Sequence, residues 1–120
     1  MVMRAKHAEL SPEALQLVAD RFRVLAEPLR LRILQMLRNG EKNVTELTAL
    51  LGTTQPNVSK HLRVLQEAGL IGRRQSGTTV YCFVADPTVF DLCDVVCTAL
   101  HTRIAAQARI FEPPAARRGR

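Results

Sequence analysis

Cys93, Cys97 and His101 stand at i, i+4 and i+8 in a stretch with helical periodicity. At about 100° per residue they fall within roughly 80° of arc on one helix, so two thiols and an imidazole share a stripe. Thiolate plus imidazole suits soft or borderline ions: zinc, cadmium, copper(I), or a trivalent metalloid such as arsenite or antimonite. Asp91 and Asp94 lie nearby and could supplement the set, and Cys82, in a separate extended segment, is a weaker candidate. The same thiols could instead be oxidised if one has thiolate character. The competing reading is packing, because Cys behaves as a small hydrophobe and exchanges with Val and Ala at helix contacts. Any such ion would be a signal rather than a resident cofactor.

A second set of residues carries different chemistry. In the segment Thr54-Gln-Pro-Asn-Val-Ser-Lys-His-Leu-Arg-Val-Leu-Gln-Glu-Ala-Gly-Leu70, Val58, Leu62 and Leu65 recur at i, i+4 and i+7. That stripe predicts a buried face. The opposite side presents Gln55, Asn57, Ser59, Lys60 and Arg63, side chains that reach base edges or phosphates in a major groove. Gln55 sits near the helix start, where a recognition helix meets bases, and Arg63 further along suits phosphate. Arg73, Arg74 and Thr78 follow on a hairpin and could grip the backbone beside it. Any surface helix is polar on one face, so this face alone does not decide the matter. His61 in the same helix reads as a structural hydrogen-bonder.

The elements that must position these groups follow from local signals. Ser11-Pro12-Glu13 starts a helix, and Leu15, Val18, Phe22 and Leu25 continue it at helical spacing. Pro28 opens a second helix with Leu29, Ile33, Met36 and Leu37, ended by Asn39-Gly40. Asn43 to Glu46 has capping-box spacing for a short third helix carrying Leu47, Leu50 and Leu51, closed by Gly52. Thr53-Thr54 opens the fourth, and Gly69 terminates it. Two extended runs, 70–74 and 79–84, flank 75–78 and read as a hairpin. Asp86-Pro87 starts a last helix that runs to about Phe111, where Pro113-Pro114 stops it. The expected class is mainly α with a small β-hairpin wing, in the order α-α-α-α-β-β-α: a winged helix-turn-helix. Residues 1–10 read as a flexible leader, 11–111 as the dimerising domain, and 112–120 as a disordered basic tail.

Charge agrees with the polar face. Lys plus Arg total 17 against 11 Asp plus Glu, a formal +6. Residues 55–80 carry Lys60, Arg63, Arg73 and Arg74 against Glu67, whereas 86–100 hold Asp86, Asp91 and Asp94 with no Lys or Arg. One segment is built to meet phosphate and the other is not. The N-terminus lacks the apolar stretch of a signal peptide and no run is long enough to span a membrane. An odd number of cysteines argues against a disulfide scaffold. Together these point to a cytoplasmic chain with reduced thiols and no membrane partner.

Val89, Phe90, Leu92, Val95, Val96, Ala99, Leu100 and Ile104 cover most of the last helix's circumference. A chain of this size cannot bury such a helix on all sides, and a second copy is the simplest cover. A homodimer would also set two reading helices one DNA turn apart, ~34 Å.

Arg23-Val-Leu-Ala-Glu-Pro-Leu-Arg-Leu-Arg-Ile-Leu34 resembles the L-x-x-P-x-R-L-x-I-L signature of the ArsR/SmtB repressors. Residues 55–71 and the Gly77-to-Tyr81 wing are similar to that family's recognition helix and wing. The resemblance, over roughly residues 15–105, implies a cytoplasmic bacterial homodimer paired through its first and last helices. It implies binding to an inverted-repeat operator in double-stranded DNA, with Gln55, Ser59 and Lys60 facing the groove. It also implies release by a metal or a thiol-reactive signal. Family sensing patterns are not reproduced. Asn43 to Leu51 holds no Cys, so a C-x-C pair near the third helix is missing. The last-helix pattern D-x-H-x10-H-x2-[H/E], set on Asp91, meets Cys93, Ile104 and Gln107. The second helix contains no Cys to pair with a distant one.

Two other functions compete. A winged-helix module for protein–protein contact would not need Gln55 and Ser59 at the helix start. A repressor with structural cysteines and no metal response needs only the DNA-reading groups. A thiol enzyme is disfavoured, because i, i+4 thiols on a regular helix cannot close a relaxed disulfide. There is also no C-x-x-C at a helix start, no Gly-rich phosphate loop and no recognisable carboxylate pair. The chain therefore reads as a non-enzyme.

Overall fold

Four helices in this protein begin with the same device, an extended residue whose side chain accepts the N–H three positions on. The computed structural model describes residues 9–110. Ser11 starts α1 (Pro12–Leu25), its Oγ accepting from the Ala14 N–H at 3.1 Å. Glu27 starts α2 (Pro28–Leu37), its Oε2 accepting from the Arg30 N–H at 3.0 Å. Asn43 starts α3 (Val44–Leu51), its Oδ1 accepting from the Glu46 N–H at 2.7 Å while the Glu46 carboxylate accepts from the Asn43 N–H at 3.1 Å. Thr54 starts α4 (Gln55–Glu67), its Oγ1 accepting from the Asn57 N–H at 3.3 Å. Each cap satisfies a donor that the helix itself leaves unpaired. Glu27 is the one cap with no signal in the sequence, since Glu ranks below Ser, Thr, Asp and Asn at this position.

Three strands complete the first unit: β1 (Lys42–Asn43), β2 (Ile71–Ser76) and β3 (Thr79–Val84), antiparallel in the order β1-β3-β2. Ser76 pairs with Thr79, so the hairpin turns on Gly77-Thr78 alone and is tighter than the expected 75–78 loop. Gly77 takes φ +61°, which a side chain would oppose. Gly72 differs: a Cβ there would overlap the tip of the Phe83 ring lying across it, so a larger residue would require that ring to shift. β1 adds a strand to the expected order. Lys42 and Asn43 pair with Cys82 and Tyr81; two residues are too few to carry a period-2 pattern.

The core of this unit is aliphatic. Ile33, Leu34 and Leu37 from α2, Leu47 from α3, Val58, Leu62 and Leu65 from α4, and Leu70, Ile71 and Cys82 from the wing are all buried. Each large side chain contributes about 1.5–3 kcal/mol by leaving water. The α1 stripe behaves differently: Leu25 is buried, but Leu15, Val18 and Phe22 remain exposed.

The chain divides into two compact units between Asp86 and Pro87. The second unit is α5 (Thr88–Ile110), which begins two residues after the expected Asp86-Pro87 start. Every residue from Asp94 to Arg109 is exposed, among them Val95, Val96, Leu100 and Ile104. Leader residues 1–8, Phe111, the Pro113-Pro114 stop and the 112–120 tail lie outside the described residues.

Asn43→Ala removes half of a reciprocal cap and should cost about 1 kcal/mol in urea denaturation. Leu62→Ala opens a cavity in the core and should cost about 2–5 kcal/mol. A cap variant as damaging as the core variant would contradict this division of roles.

Candidate nucleic-acid interface

The helix-turn-helix consists of α3, the Gly52-Thr53-Thr54 turn and α4. Leu47 and Leu51 hold α3 to the core; Val58, Leu62 and Leu65 hold α4. What α4 leaves outside is the opposite face. Gln55, Lys60 and Arg63 are exposed, and Ser59 and Asn57 are half-buried. Asn57 is already engaged, donating from Nδ2 to the Thr53 Oγ1 at 3.2 Å. It stiffens the turn that aims the helix. Arg32 on α2 supports the same turn from behind, donating to the Leu50 carbonyl at 3.3 Å near the end of α3.

The wing splits its basic residues between two environments. Arg74 forms an ion pair with Glu41, and its guanidinium lies over the Tyr81 ring, 4.8 Å from the centroid. That combination shapes the base of the wing, and a duplex would have to compete with Glu41 for it. Arg73, paired across the ladder with Cys82, is exposed, as is Thr78 at the tip. Gln75 donates to the Gly77 carbonyl at 3.2 Å and braces the turn.

The sulfur groups are dispersed. Cys82 is buried in β3, and burial pushes its thiol pKa up, with Arg73 opposing the shift. On α5, Cys93 is half-buried, while Cys97, His101, Asp91 and Asp94 are exposed. Among the described residues no three His, Cys, Asp or Glu side chains gather closely enough to hold a metal ion. The stripe predicted from spacing exists on α5, but the described residues do not assemble it into a chelating cluster.

Behind α4 lies a polar group built around His61, which the sequence alone presents as a lone structural hydrogen-bonder. His61 is buried on the core side. Arg30 of α2 reaches it, Nη1 standing 3.2 Å from His61 Nδ1, and also donates from Nε to the Val24 carbonyl of α1 at 2.7 Å. A guanidinium can only donate, so Nδ1 must accept, and the neutral ring carries its proton on Nε2. Glu27 Oε2 stands 3.9 Å from the same nitrogen. Burial lowers the His61 pKa from its ordinary 6.5; Glu27 opposes that shift, and Lys60 and Arg30 add to it.

A core-anchored helix with a free polar face, entered through a capped turn and followed by a twisted basic hairpin, defines a winged helix-turn-helix DNA-binding domain. The sequence pattern described as "Bacterial regulatory protein, arsR family" matches residues 27–72. The HTH-type transcriptional regulator NmtR of Mycobacterium tuberculosis is 39% identical over 87 residues, covering 72% of this chain and 72% of that one. The chain belongs to the ArsR/SmtB family of transcriptional regulators. A probable mercury resistance operon repressor from Streptomyces lividans is 41% identical over 71 residues; the match covers 59% of this chain and 57% of that protein's length. The homodimeric winged helix-turn-helix DNA-binding domain of a possible ArsR-family transcriptional regulator from Mycobacterium bovis superposes with a TM-score of 0.70 at 28% identity, covering 84% of this chain and 94% of that one. No helix among the described residues is long and apolar enough to cross a membrane.

The buried histidine makes stability depend on pH. The unfolded ring takes up a proton near pH 6.5, whereas the folded ring does so only at lower pH. Its contribution is therefore complete well above that value and is lost as pH falls through it toward the folded pKa. Urea midpoints measured from about pH 7.5 down to about pH 5.5 should fall more steeply for the native chain than for His61→Gln, which cannot titrate. Parallel curves would show that this ring contributes nothing to the linkage.

Proposed function

We propose that this chain is a homodimeric repressor that reads an inverted-repeat operator with one α4 per protomer. In this reading Gln55, Ser59 and Lys60 meet bases, and Arg63, Arg73 and Thr78 meet phosphate. Asn57 and Arg74 act as supports, one for the turn and one for the wing. The observation that carries it is the division of α4, with Val58, Leu62 and Leu65 fully buried while Gln55, Lys60 and Arg63 stay in water. Dimerisation is supported by the exposed Leu15, Leu17, Val18 and Phe22 on α1 and Val95, Val96, Leu100 and Ile104 on α5. The homodimeric solved relative supports the same assembly. The chain works in the cytoplasm, and catalysis plays no part.

The signal is a soft metal, a metalloid or a thiol-reactive compound, taken up at Cys93 and Cys97, with His101 as a further donor. The mercury-repressor relative supports a soft-ion class. Among the described residues no three donors gather into a three-ligand site, and we assign completion of the ligand set to the partner helix of the dimer. Uptake there changes how the paired helices pack and thereby the spacing of the two reading heads. A coupling of about 1–3 kcal/mol shifts operator affinity by about 5–150-fold.

DNA selection from a random duplex library, followed by footprinting, should recover a palindrome. Gln55→Ala should cost about 1–3 kcal/mol and relax choice at one base pair per half-site. Arg63→Ala should weaken all sequences alike and reduce the salt slope by about one per protomer. Retardation without sequence preference would rule the operator reading out. For the signal, Cys93→Ser and Cys97→Ser should still bind the selected duplex but fail to release it on challenge with zinc, cadmium, copper(I), arsenite, antimonite, peroxide or persulfide. Normal release by both variants would return the cysteines to packing.

A further inference from the structure

We propose that Arg30 and His61 are positioning residues for DNA reading, forming an acid-sensitive clamp that holds α4 against α2 and lets the reading helix go when His61 takes up a proton. The inference rests on the operator-binding reading above and adds to it a control that no cysteine or metal supplies.

The argument begins with where the histidine sits. Its ring is buried among the α4 residues that face the core, yet Lys60 just before it and Arg63 two positions after it are exposed on the outward face, with Ser59 half-buried beside them. A displacement of the ring therefore moves the DNA-facing side chains with it. Arg30 fixes the ring at one nitrogen, and its own position is fixed twice over. Its Nε is bonded to the Val24 carbonyl near the end of α1, and its backbone N–H is bonded to Glu27 at the start of α2. The guanidinium thus ties the end of α1 to the middle of α4, and the same residue's backbone N–H is held by the cap of α2.

The tie works in only one protonation state. The Arg30 Nη1 to His61 Nδ1 contact of 3.2 Å needs a lone pair on Nδ1. A proton there turns an acceptor into a donor and faces one cation with another. Three charged groups face the ring. Lys60 on α4 and Arg30 on α2 both oppose the added charge, while Glu27, 3.9 Å from Nδ1, favours it. The protonated ring thus exchanges its partner, leaving Arg30 and turning to the Glu27 carboxylate. Glu27 is also the cap of α2, so that exchange competes with the Arg30 N–H for the same oxygen. The first change removes the bond that holds the ring to Arg30, and the second draws Glu27 off the α2 cap, so the ring gains its new ionic partner only by shifting and by unseating the start of α2.

The sign of the effect is diagnostic. Acid makes any protein more positive, and a more positive protein binds DNA more tightly. The clamp predicts the reverse. With the duplex recovered by selection at about pH 7.5, the affinity of the full chain should fall about tenfold by about pH 5.5 at constant salt, with circular dichroism confirming that it stays folded. In His61→Gln the amide oxygen accepts from Arg30 at every pH, so the ratio of its affinities at the two pH values should stay within about twofold. The imidazole nitrogen resonances of the native chain at neutral pH should report the proton on Nε2. Three results would each overturn the clamp: binding in the native chain that is unchanged or tighter in acid, a His61→Gln variant that keeps the native ratio, or a proton on Nδ1. The tautomer and the native pH ratio need no variant, so they decide the matter even if His61→Gln does not fold. Failure of the native chain to select any duplex would instead sink the operator reading itself.

Discussion

α4 must satisfy two environments with thirteen residues. Its inner face is committed to the aliphatic core through Val58, Leu62 and Leu65, none of which retains solvent exposure. Its outer face stays polar and basic. The two faces interleave along one helix, so a residue cannot be moved on one without moving its neighbours on the other. The remaining elements serve this arrangement. α2 and α3 supply the apolar wall, the Thr53–Asn57 and Thr54–Asn57 bonds set the entry angle, and the wing closes the far side. A rigid support of this kind is what base reading requires, because hydrogen bonds to base edges tolerate little angular error.

Polar groups inside such a small core need partners, and here they have been arranged into one set. Glu27, Arg30, His61 and the Val24 carbonyl form a connected group behind α4. Buried networks of this type are useful only when every member is satisfied. Satisfaction here requires a neutral imidazole, which places a titratable ring beneath the exposed polar face of α4. The wing shows the same economy on the outside. Arg74 is held by Glu41 and Tyr81, while Arg73 on the opposite face of β2 remains exposed. Two adjacent arginines in the sequence thus have different situations, one held by Glu41 and Tyr81 and the other exposed beside the Cys82 thiol.

α5 poses the complementary problem. Its apolar residues are distributed around the helix, and from Asp94 onward they meet water in a single protomer. Exposed aliphatic surface on this scale is unfavourable unless covered, and α1 carries a matching excess in Leu15, Leu17, Val18 and Phe22. Cys97 lies within this surface, and the half-buried Cys93 lies at its edge.

Much of this was legible in the order of residues. Short-range chemistry determined the helix starts at Ser11, Asn43 and Thr54, the α4 stripe and the wing, because caps, turns and helical periodicity act over a few residues and leave a local trace. The class of protein followed from their order. Glu27 as a cap escaped notice because its type is uncommon there, and β1 escaped because two residues hold no pattern. The pairings of Arg30 with His61 and of Arg74 with Glu41 span 31 and 33 positions, and no local rule connects such residues. Only the folded chain, by packing α2 beneath α4 and the residues before β1 against the wing, decided which charges would meet and which would be left for a partner.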